Sequence, residues 1–330
     1  MRALVCKEYG PPDRLVLEEQ PDPLPDKGQV VVHVAAAGIN FPDVLAIAGQ
    51  YQVRTPPPFV PGNEAAGIVA LVGDGVSRFV VGDKVIVTPN GGAFAEKCAV
   101  DENLLMPLPD GLGFAEGAGF AITYGTGYHA LKQGAQLRAG ETVLVLGAAG
   151  GVGSAAVEIA KALGARVIAA ASSDEKLEFA RSAGADELVN YAVQPLKETV
   201  RELTAGAGAD VIYDPVGGAL ALDALRATAW HGRYLVIGFA SGDIPNFPAN
   251  IALLKEASIV GVWWGTWAAR NPQEQQKNMQ EMAGLMAAGN LQPRVSDSYS
   301  FDDYKSAFRA ITERRAMGKV ILRINQGGKS

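Results

Sequence analysis

The sequence predicts a two-part α/β chain: a mostly β domain joined to a parallel sheet wound on both faces by helices. Three observations predict it. Up to about residue 120 the chain reads as short β-branched runs broken by Gly and Pro. Beyond that point short apolar strands alternate with helix-like stretches. A glycine-rich turn, GAAGGVG (147–153), stands between the first of those strands and the first of those helices. A chain of 330 residues is also long for one hydrophobic core, which favours two domains.

In chain order, the early strands are carried by GQVVVHVAAAG, EAAGIVALVG, DKVIVTP and GAFAEKCAV, with turn residues between them. The later strands are expected at 142–147, 166–171, 185–189, 209–214, 233–238 and 258–262, with helices at 151–163, 174–183, 195–205 and 218–229. Short strands buried on both faces and separated by helices imply a parallel sheet, and the right-handed crossover rule leaves few topologies. A helix at 272–289, a strand near 294–300, a helix at 302–314 and a last strand, GKVILRI, follow. This tail is expected to fold back onto the first domain, giving domains of 1–122 with 266–330 and of 123–265.

Composition excludes several functions. Apolar residues make up 48% and charged residues 19% of the chain, enough to bury a sizeable interior. The net charge of -6 argues against nucleic acid as a partner, since such proteins carry basic patches. No run of about 18 apolar residues predicts a membrane span, and the opening MRALVCKEYG does not resemble a secretory signal. Two cysteines, Cys6 and Cys98, cannot build a disulfide framework, so the chain is read as reduced, intracellular and cytoplasmic. His33, His129 and His231 lie far apart with no neighbouring Cys, so no metal site is expected.

The turn at 147–153 carries the most chemistry. Aligned with a dinucleotide fingerprint, its glycine positions hold Ala148, Gly150 and Gly153. Gly150 would let the backbone approach a pyrophosphate, and Gly153 would let the helix pack closely on the strand. The phosphates would sit at the helix amino terminus, where unpaired N–H groups and the dipole favour negative charge. Ala148 in place of the first glycine departs from the pattern, with Gly147 supplying flexibility beside it.

The end of the second strand then selects the dinucleotide. An NAD site places a carboxylate there for the ribose 2′-OH. This strand ends in Ala170, Ala171, Ser172 and Ser173, with no acid at its tip. Ser172, Ser173 and Lys176 offer hydroxyls and a cation to a 2′-phosphate, so NADPH is the expected cofactor. Ser172 could equally cap the next helix, with Glu175 completing a capping box.

These motifs, with AAGINFPD (36–43), PGNEAAG (61–67), GDGVSRFVVGDKV (73–85), AITYGTGYHAL (121–131), DPVGG (214–218) and NIALLKEASIVGV (250–262), span the whole chain. In them it resembles the zinc-free medium-chain dehydrogenase/reductases, most closely the zeta-crystallin-like NADPH:quinone oxidoreductases. The resemblance implies a GroES-like catalytic domain and a Rossmann domain. Zinc-dependent relatives carry metal ligands where this chain has Asn40 and Asn63, which implies hydride transfer without a Lewis acid.

The resemblance also implies site residues. Asn40, Asp43 and Tyr51 would lie beside the nicotinamide and act in catalysis, and Thr126 would touch the carboxamide region. Gly150, Gly151 and Val152 would face the pyrophosphate through their backbones. Ser172, Lys176 and Tyr191 match the 2′-phosphate site, while Gly238, Phe239 and Ala240 match the backbone at the nicotinamide end. Each has a plainer alternative: Asn40 could cap the following helix, Tyr51 could pack under its loop, and Phe239 could be core.

For a quinone or α,β-unsaturated carbonyl, charge develops on the acceptor oxygen. The Asn40 amide or the Tyr51 phenol would stabilise it, with Tyr51 or a water as proton donor. Trp263, Trp264 and Trp267 could wall a pocket for a flat acceptor, or equally serve as interface or core. Relatives also reduce the carbon–carbon double bond of enones or enoyl thioesters. Others are non-catalytic crystallin-like proteins that bind NADPH or RNA. The family is commonly homodimeric, and SIVGV is the natural edge strand.

Overall fold

The computed structural model describes residues 1–325. It divides into two compact units, Met1–Ile122 with the stretch from Pro293, and Thr123–Gln292.

The first unit opens with an antiparallel pair, β1 (Arg2–Val5) and β2 (Val16–Glu19). The long β3 (Gln29–Ile39) follows. Its alternation sends Val30, Val32 and Val34 into the core while His33 is exposed. Helix α1 (Phe41–Ile47) starts with Pro42 in its first turn, where the missing N–H has no partner to lose. Strands β4 (Ala65–Val72), β5 (Lys84–Val87), β6 (Lys97–Asp101) and β7 (Leu105–Pro107) come next, then the short α2 (Phe114–Gly117). The chain enters the second unit within α3 (Ala121–His129), which runs on into a π-helical turn, Ala130–Gly134.

The second unit alternates β8 (Thr142–Leu146), α4 (Gly151–Ala162), β9 (Arg166–Ala171), α5 (Asp174–Ser182), β10 (Glu187–Asn190), α6 (Leu196–Leu203), β11 (Ala209–Asp214), α7 (Leu220–Arg226) and β12 (Thr228–Val236). Helix α8 (Ala249–Lys255), β13 (Ser258–Gly261), α9 (Trp264–Arg270) and α10 (Pro272–Ala287) complete it. The six strands form one parallel sheet in the order β10-β9-β8-β11-β12-β13. Leu144, Leu146, Ile168, Ile212 and Tyr234 meet α6 and α7 residues in the core on one face. On α4 every residue from Gly153 to Ala160 is buried, as in a helix enclosed on all sides.

Returning to the first unit, the chain forms β14 (Val295–Ser300), α11 (Tyr304–Thr312) and β15 (Lys319–Arg323). They complete a sheet ordered β14-β15-β3-β4-β5-β7, with β6 also pairing β3.

Three sequence expectations differ from the structure. Residues 266–292 were expected in the first domain but pack within the second unit. Tyr128 donates to Glu281 at 2.6 Å, Gln133 and Asn278 exchange side-chain hydrogen bonds at 3.0 and 3.2 Å, and the Trp264 indole donates to Gln275 at 3.1 Å. Second, α7 ends at Arg226 and β12 begins at Thr228. The shift of register from Ala209 opposite Thr228 to Val211 opposite Arg233 absorbs the intervening residues as a bulge. Third, α8 and α9 have no counterpart in the expected elements. Neither contains a buried residue, so neither leaves an apolar periodicity to read.

Candidate functional site

In the second unit the sheet reverses its order between β8 and β11. The crevice outside the carboxyl ends of strands at such a switch is where open α/β sheets take ligands. Both strands end there in glycine-bearing turns. After β8, Gly147 adopts a positive φ of 58°, accessible to glycine at no steric cost. Gly150 donates to the Gly147 carbonyl at 2.9 Å, and Ser154 donates to Gly150 O at 2.8 Å. The N–H groups of Gly151, Val152 and Gly153 precede that first helical bond, and no acidic side chain lies in the first turn of α4. An anion there meets the positive end of the helix uncompensated. A Cβ on Gly153 would stand 2.2 Å from Gly147 O, so helix and turn touch backbone to backbone.

After β11, Asp214 organises the second turn. It is buried, and Oδ1 accepts from the N–H of Val216 (2.7 Å) and Gly217 (2.9 Å), while Oδ2 accepts from the Tyr234 hydroxyl. Burial pushes its carboxyl above the ordinary range, against those three donors. Gly238 and Ala240 donate to the carbonyls of Asp214 (3.3 Å) and Pro215 (3.0 Å). Phe239 lies between them, half-buried rather than core, against Gly217.

At the end of β9, Ser172 is exposed and accepts from Lys176 Nζ at 3.4 Å. Tyr191 lies beside them, its N–H donating to Ala171 O at 3.1 Å. The structure thus pairs Ser172 with Lys176 and sets the backbone of Tyr191 against the residue before Ser172. The cap of α5 is Ser173, which accepts from Lys176 N at 3.4 Å. This displaces Ser172 from the capping role by one position and leaves Glu175 outside a capping box. Ser172 keeps its hydroxyl for other work. Thr126 is half-buried on α3. Of the tryptophans, Trp267 stacks on His129 (centroids 4.0 Å apart, planes at 23°) and Trp264 covers Gly125, while Trp263 is exposed.

In the first unit, the buried Asn40, Asp43, Glu64 and Lys319 form a polar cluster with the half-buried Asn63. Asn40 precedes α1, and its backbone N–H donates to Asp43 Oδ2 at 2.7 Å. Asn40 and Asp43 thus form a capping box at the start of α1. The Asn40 side chain reaches Gly38 O (3.4 Å) and Glu64 Oε2 (3.3 Å) and accepts from Lys319 Nζ at 2.6 Å. Lys319 Nζ also donates to Glu64 Oε2 at 2.6 Å, and Glu64 Oε1 accepts from Ile122 N at 2.8 Å. Neither Glu64 nor Lys319 was singled out in the sequence. Asp43 Oδ1 accepts from Asn63 Nδ2 at 2.7 Å. A cavity of about 160 Å³ lies against Asp43 and Asn63, lined also by Thr55, Phe59 and Asn90. Tyr51 is half-exposed in the loop after α1, its N–H bonded to Leu45 O at 3.2 Å.

Burial pushes the Asp43 carboxyl up to about 6, against the Asn40 N–H, the Lys319 charge and the Asn63 amide, with Glu64 adding to the rise. Well below pH 3.8 Asp43 is protonated in both folded and unfolded chains and costs nothing. Between about 4 and about 6 the unfolded chain ionises while the folded carboxyl keeps its proton, and by the time pH has passed about 6 stability of order 3 kcal/mol is lost. Urea titrations at pH 4 and pH 7 should therefore show Asp43→Asn gaining on the parent by about that amount at the higher pH. Parallel curves would refute the assignment.

The groups of the second unit fit a nicotinamide dinucleotide: an acid-free helix terminus at a backbone-tight turn, and a hydroxyl beside an ammonium at the next strand tip. Comparison with known proteins agrees. Residues 26–126 match the alcohol dehydrogenase GroES-like domain family, and residues 151–287 match the zinc-binding dehydrogenase family. The quinone oxidoreductase-like protein 2 of Bos taurus is 40% identical over 97% of this chain and 92% of its own. The Escherichia coli quinone oxidoreductase, solved with NADPH, superposes with a TM-score of 0.92 at 28% identity, covering 98% of this chain and all of that one (100%). The CurK enoyl reductase gives 0.89 at 27% identity, covering 98% and 99%. Among the described residues no helix is long and apolar enough to cross a membrane.

Proposed function

Since the chain belongs to the zinc-free medium-chain dehydrogenase/reductases of the quinone oxidoreductase type, we propose that it reduces quinones with NADPH by a metal-independent hydride transfer. The observation that carries this reading is the pairing of Lys176 Nζ with Ser172 Oγ at a strand tip without a carboxylate, next to the acid-free start of α4. When bound, the reduced nicotinamide supplies the hydride; the chain's own residues supply everything else.

The N–H groups of Gly151 and Val152 hold the pyrophosphate. Ser172, Lys176 and Tyr191 hold the 2′-phosphate, with Ser173 kept as helix cap. The Thr126 hydroxyl and the backbone of Gly238, Phe239 and Ala240 orient the nicotinamide end. The Asn40 amide donates to the acceptor oxygen as it gains charge, and the half-exposed Tyr51 hydroxyl gives the proton and regains one from solvent. Asp43 fixes the Asn40 backbone through its N–H.

A second reading, reduction of the carbon–carbon double bond of enones or enoyl thioesters, draws on the likeness to CurK enoyl reductase. Following NADPH oxidation at 340 nm with quinones, enones and enoyl thioesters decides between them by kcat/KM. Tyr51→Phe should lower kcat for the preferred acceptor by at least about 100-fold, the usual range for a positioned acid being 10²–10⁴. Turnover unchanged in that variant removes Tyr51 from the mechanism. No turnover with any acceptor, despite saturable NADPH binding, would favour the non-catalytic class, although a net charge of -6 speaks against RNA there.

The active form is proposed to be a homodimer. Strand β13 ends its sheet; Ile259 on it and Trp263 just after it are exposed, and in the preceding helix α8 Leu253 and Leu254 are 76% and 71% exposed. An apolar sheet edge is an association surface. Ile259→Lys should sediment as a monomer where the parent sediments as a dimer; an unchanged sedimentation coefficient would remove β13 from the interface. Cys6 and Cys98 are free and buried, and burial pushes the Cys98 thiol up to about 12; both fit the reducing cytoplasm.

A further inference from the structure

Lys319, the first residue of β15, carries a buried charge. Val320 and Leu322 on that strand enter the first unit's core, while Lys319 faces the other way and is only 4% exposed. Its stem runs through a slot made by two glycines. A Cβ on Gly38 would stand 2.6 Å from Lys319 Cε, and one on Gly119 2.9 Å from its Cγ. Both glycines keep open the path that brings the ammonium to Asn40.

At the end of that path Nζ donates to Asn40 Oδ1 and Glu64 Oε2, each at 2.6 Å. An ammonium has three donors and no acceptor. The Asn40 atom facing it must therefore be the carbonyl oxygen, which removes the usual ambiguity of an amide's two ends. The Nδ2 contacts, at 3.3 and 3.4 Å, are longer than the usual N–H···O range of about 2.7–3.2 Å. The amide is thus anchored strongly by its oxygen and weakly by its nitrogen. A cation on the oxygen also polarises the amide and strengthens its N–H groups as donors.

We propose that Lys319 is a positioning residue that holds the Asn40 amide by its oxygen and so presents the NH₂ edge as the donor to the acceptor oxygen. The proposal rests on the reading of Asn40 as that donor. A purely structural Lys319 would only neutralise Glu64, whose carboxylate is fully buried.

The two roles separate in the double variant Lys319→Met/Glu64→Gln, which removes both charges together. With 1,4-benzoquinone and NADPH, kcat should fall about tenfold or more, while KM and the Kd for NADPH stay within about threefold. A folded double variant with kcat within about twofold of the parent overturns the proposal. Should the double variant not fold, Lys319→Arg carries the test. Arginine keeps the positive charge beside Glu64 but cannot place one nitrogen on both oxygens, so kcat should again fall by about fivefold or more, and a parental kcat overturns the proposal.

A readout without turnover keeps this distinct from the functional reading. The Asn40 side-chain ¹H–¹⁵N resonances, identified by their loss in Asn40→Ser, should shift in either Lys319 variant of the ligand-free protein. Unshifted resonances overturn the proposal even if the parent reduces no acceptor.

Discussion

Gly153→Ala should lower the melting temperature by roughly 6–12 °C and abolish measurable dinucleotide binding. The added Cβ would stand 2.2 Å from the Gly147 carbonyl oxygen, 2.9 Å from its carbon and 3.0 Å from Ala148 Cα. All three are backbone atoms, so no side chain can rotate away. The helix must lift off the turn. Overpacking of this kind costs about 3 kcal/mol, and each kcal/mol moves the midpoint of a unit of this size by roughly 2–4 °C. The lift also carries the Gly151 and Val152 amides away from the phosphates.

Gly150→Ala is the internal control. Its Cβ would meet nothing nearer than 3.4 Å and its φ is -75°, so the fold should be unmoved while the methyl intrudes on the ligand's approach. Calorimetry with fluorescence titration of NADPH separates the two. A Gly153→Ala protein that melts with the parent would mean the contact relaxes at no cost.

Ser172→Asp should invert coenzyme choice. In the parent, Lys176 Nζ donates to the Ser172 hydroxyl, and in the proposed reading this pair takes the 2′-phosphate. A carboxylate at that tip would neutralise Lys176 and repel the phosphate, while offering an acceptor to the 2′-OH of NADH. Ser172 is exposed, so solvent screens part of the repulsion, and NADPH affinity should fall by about 10–100-fold, with NADH binding retained or improved. Since the difference is ionic, it should narrow in high salt. A ratio of dissociation constants that stays at the parental value would mean that the 2′-phosphate is held elsewhere.

The parts of the fold legible in the sequence were those written in backbone chemistry. Gly147 and Gly153 mark a turn that a side chain would strain or block, and the β-branched runs ending at Leu146, Ala171 and Asp214 announce strands buried on both faces. What escaped was written in pairing. A lysine opening a strand reads as solvated until its partners are known, and Glu64 lies 255 positions from Lys319. The attachment of α10 to the second unit combines one fully buried apolar side chain, Met282, with polar links such as Tyr128 to Glu281, too little to mark its partner in the sequence. The capping role fell to Ser173 instead of Ser172 because two adjacent hydroxyls satisfy the same local pattern, and only the path of the chain chooses between them.

The placement of β15 against β3 has a consequence for how the protein is made. Ile39 pairs with Val320, and 279 positions separate Asn40 from the ammonium that anchors it. A ribosome at roughly 5–20 residues per second delivers β3 many seconds before its neighbour. During that interval the nascent chain carries an open strand edge and an unneutralised Glu64, while the intervening nucleotide-binding unit emerges whole and can fold. The unit translated first is therefore the one completed last, and during synthesis it is the natural client of a chaperone.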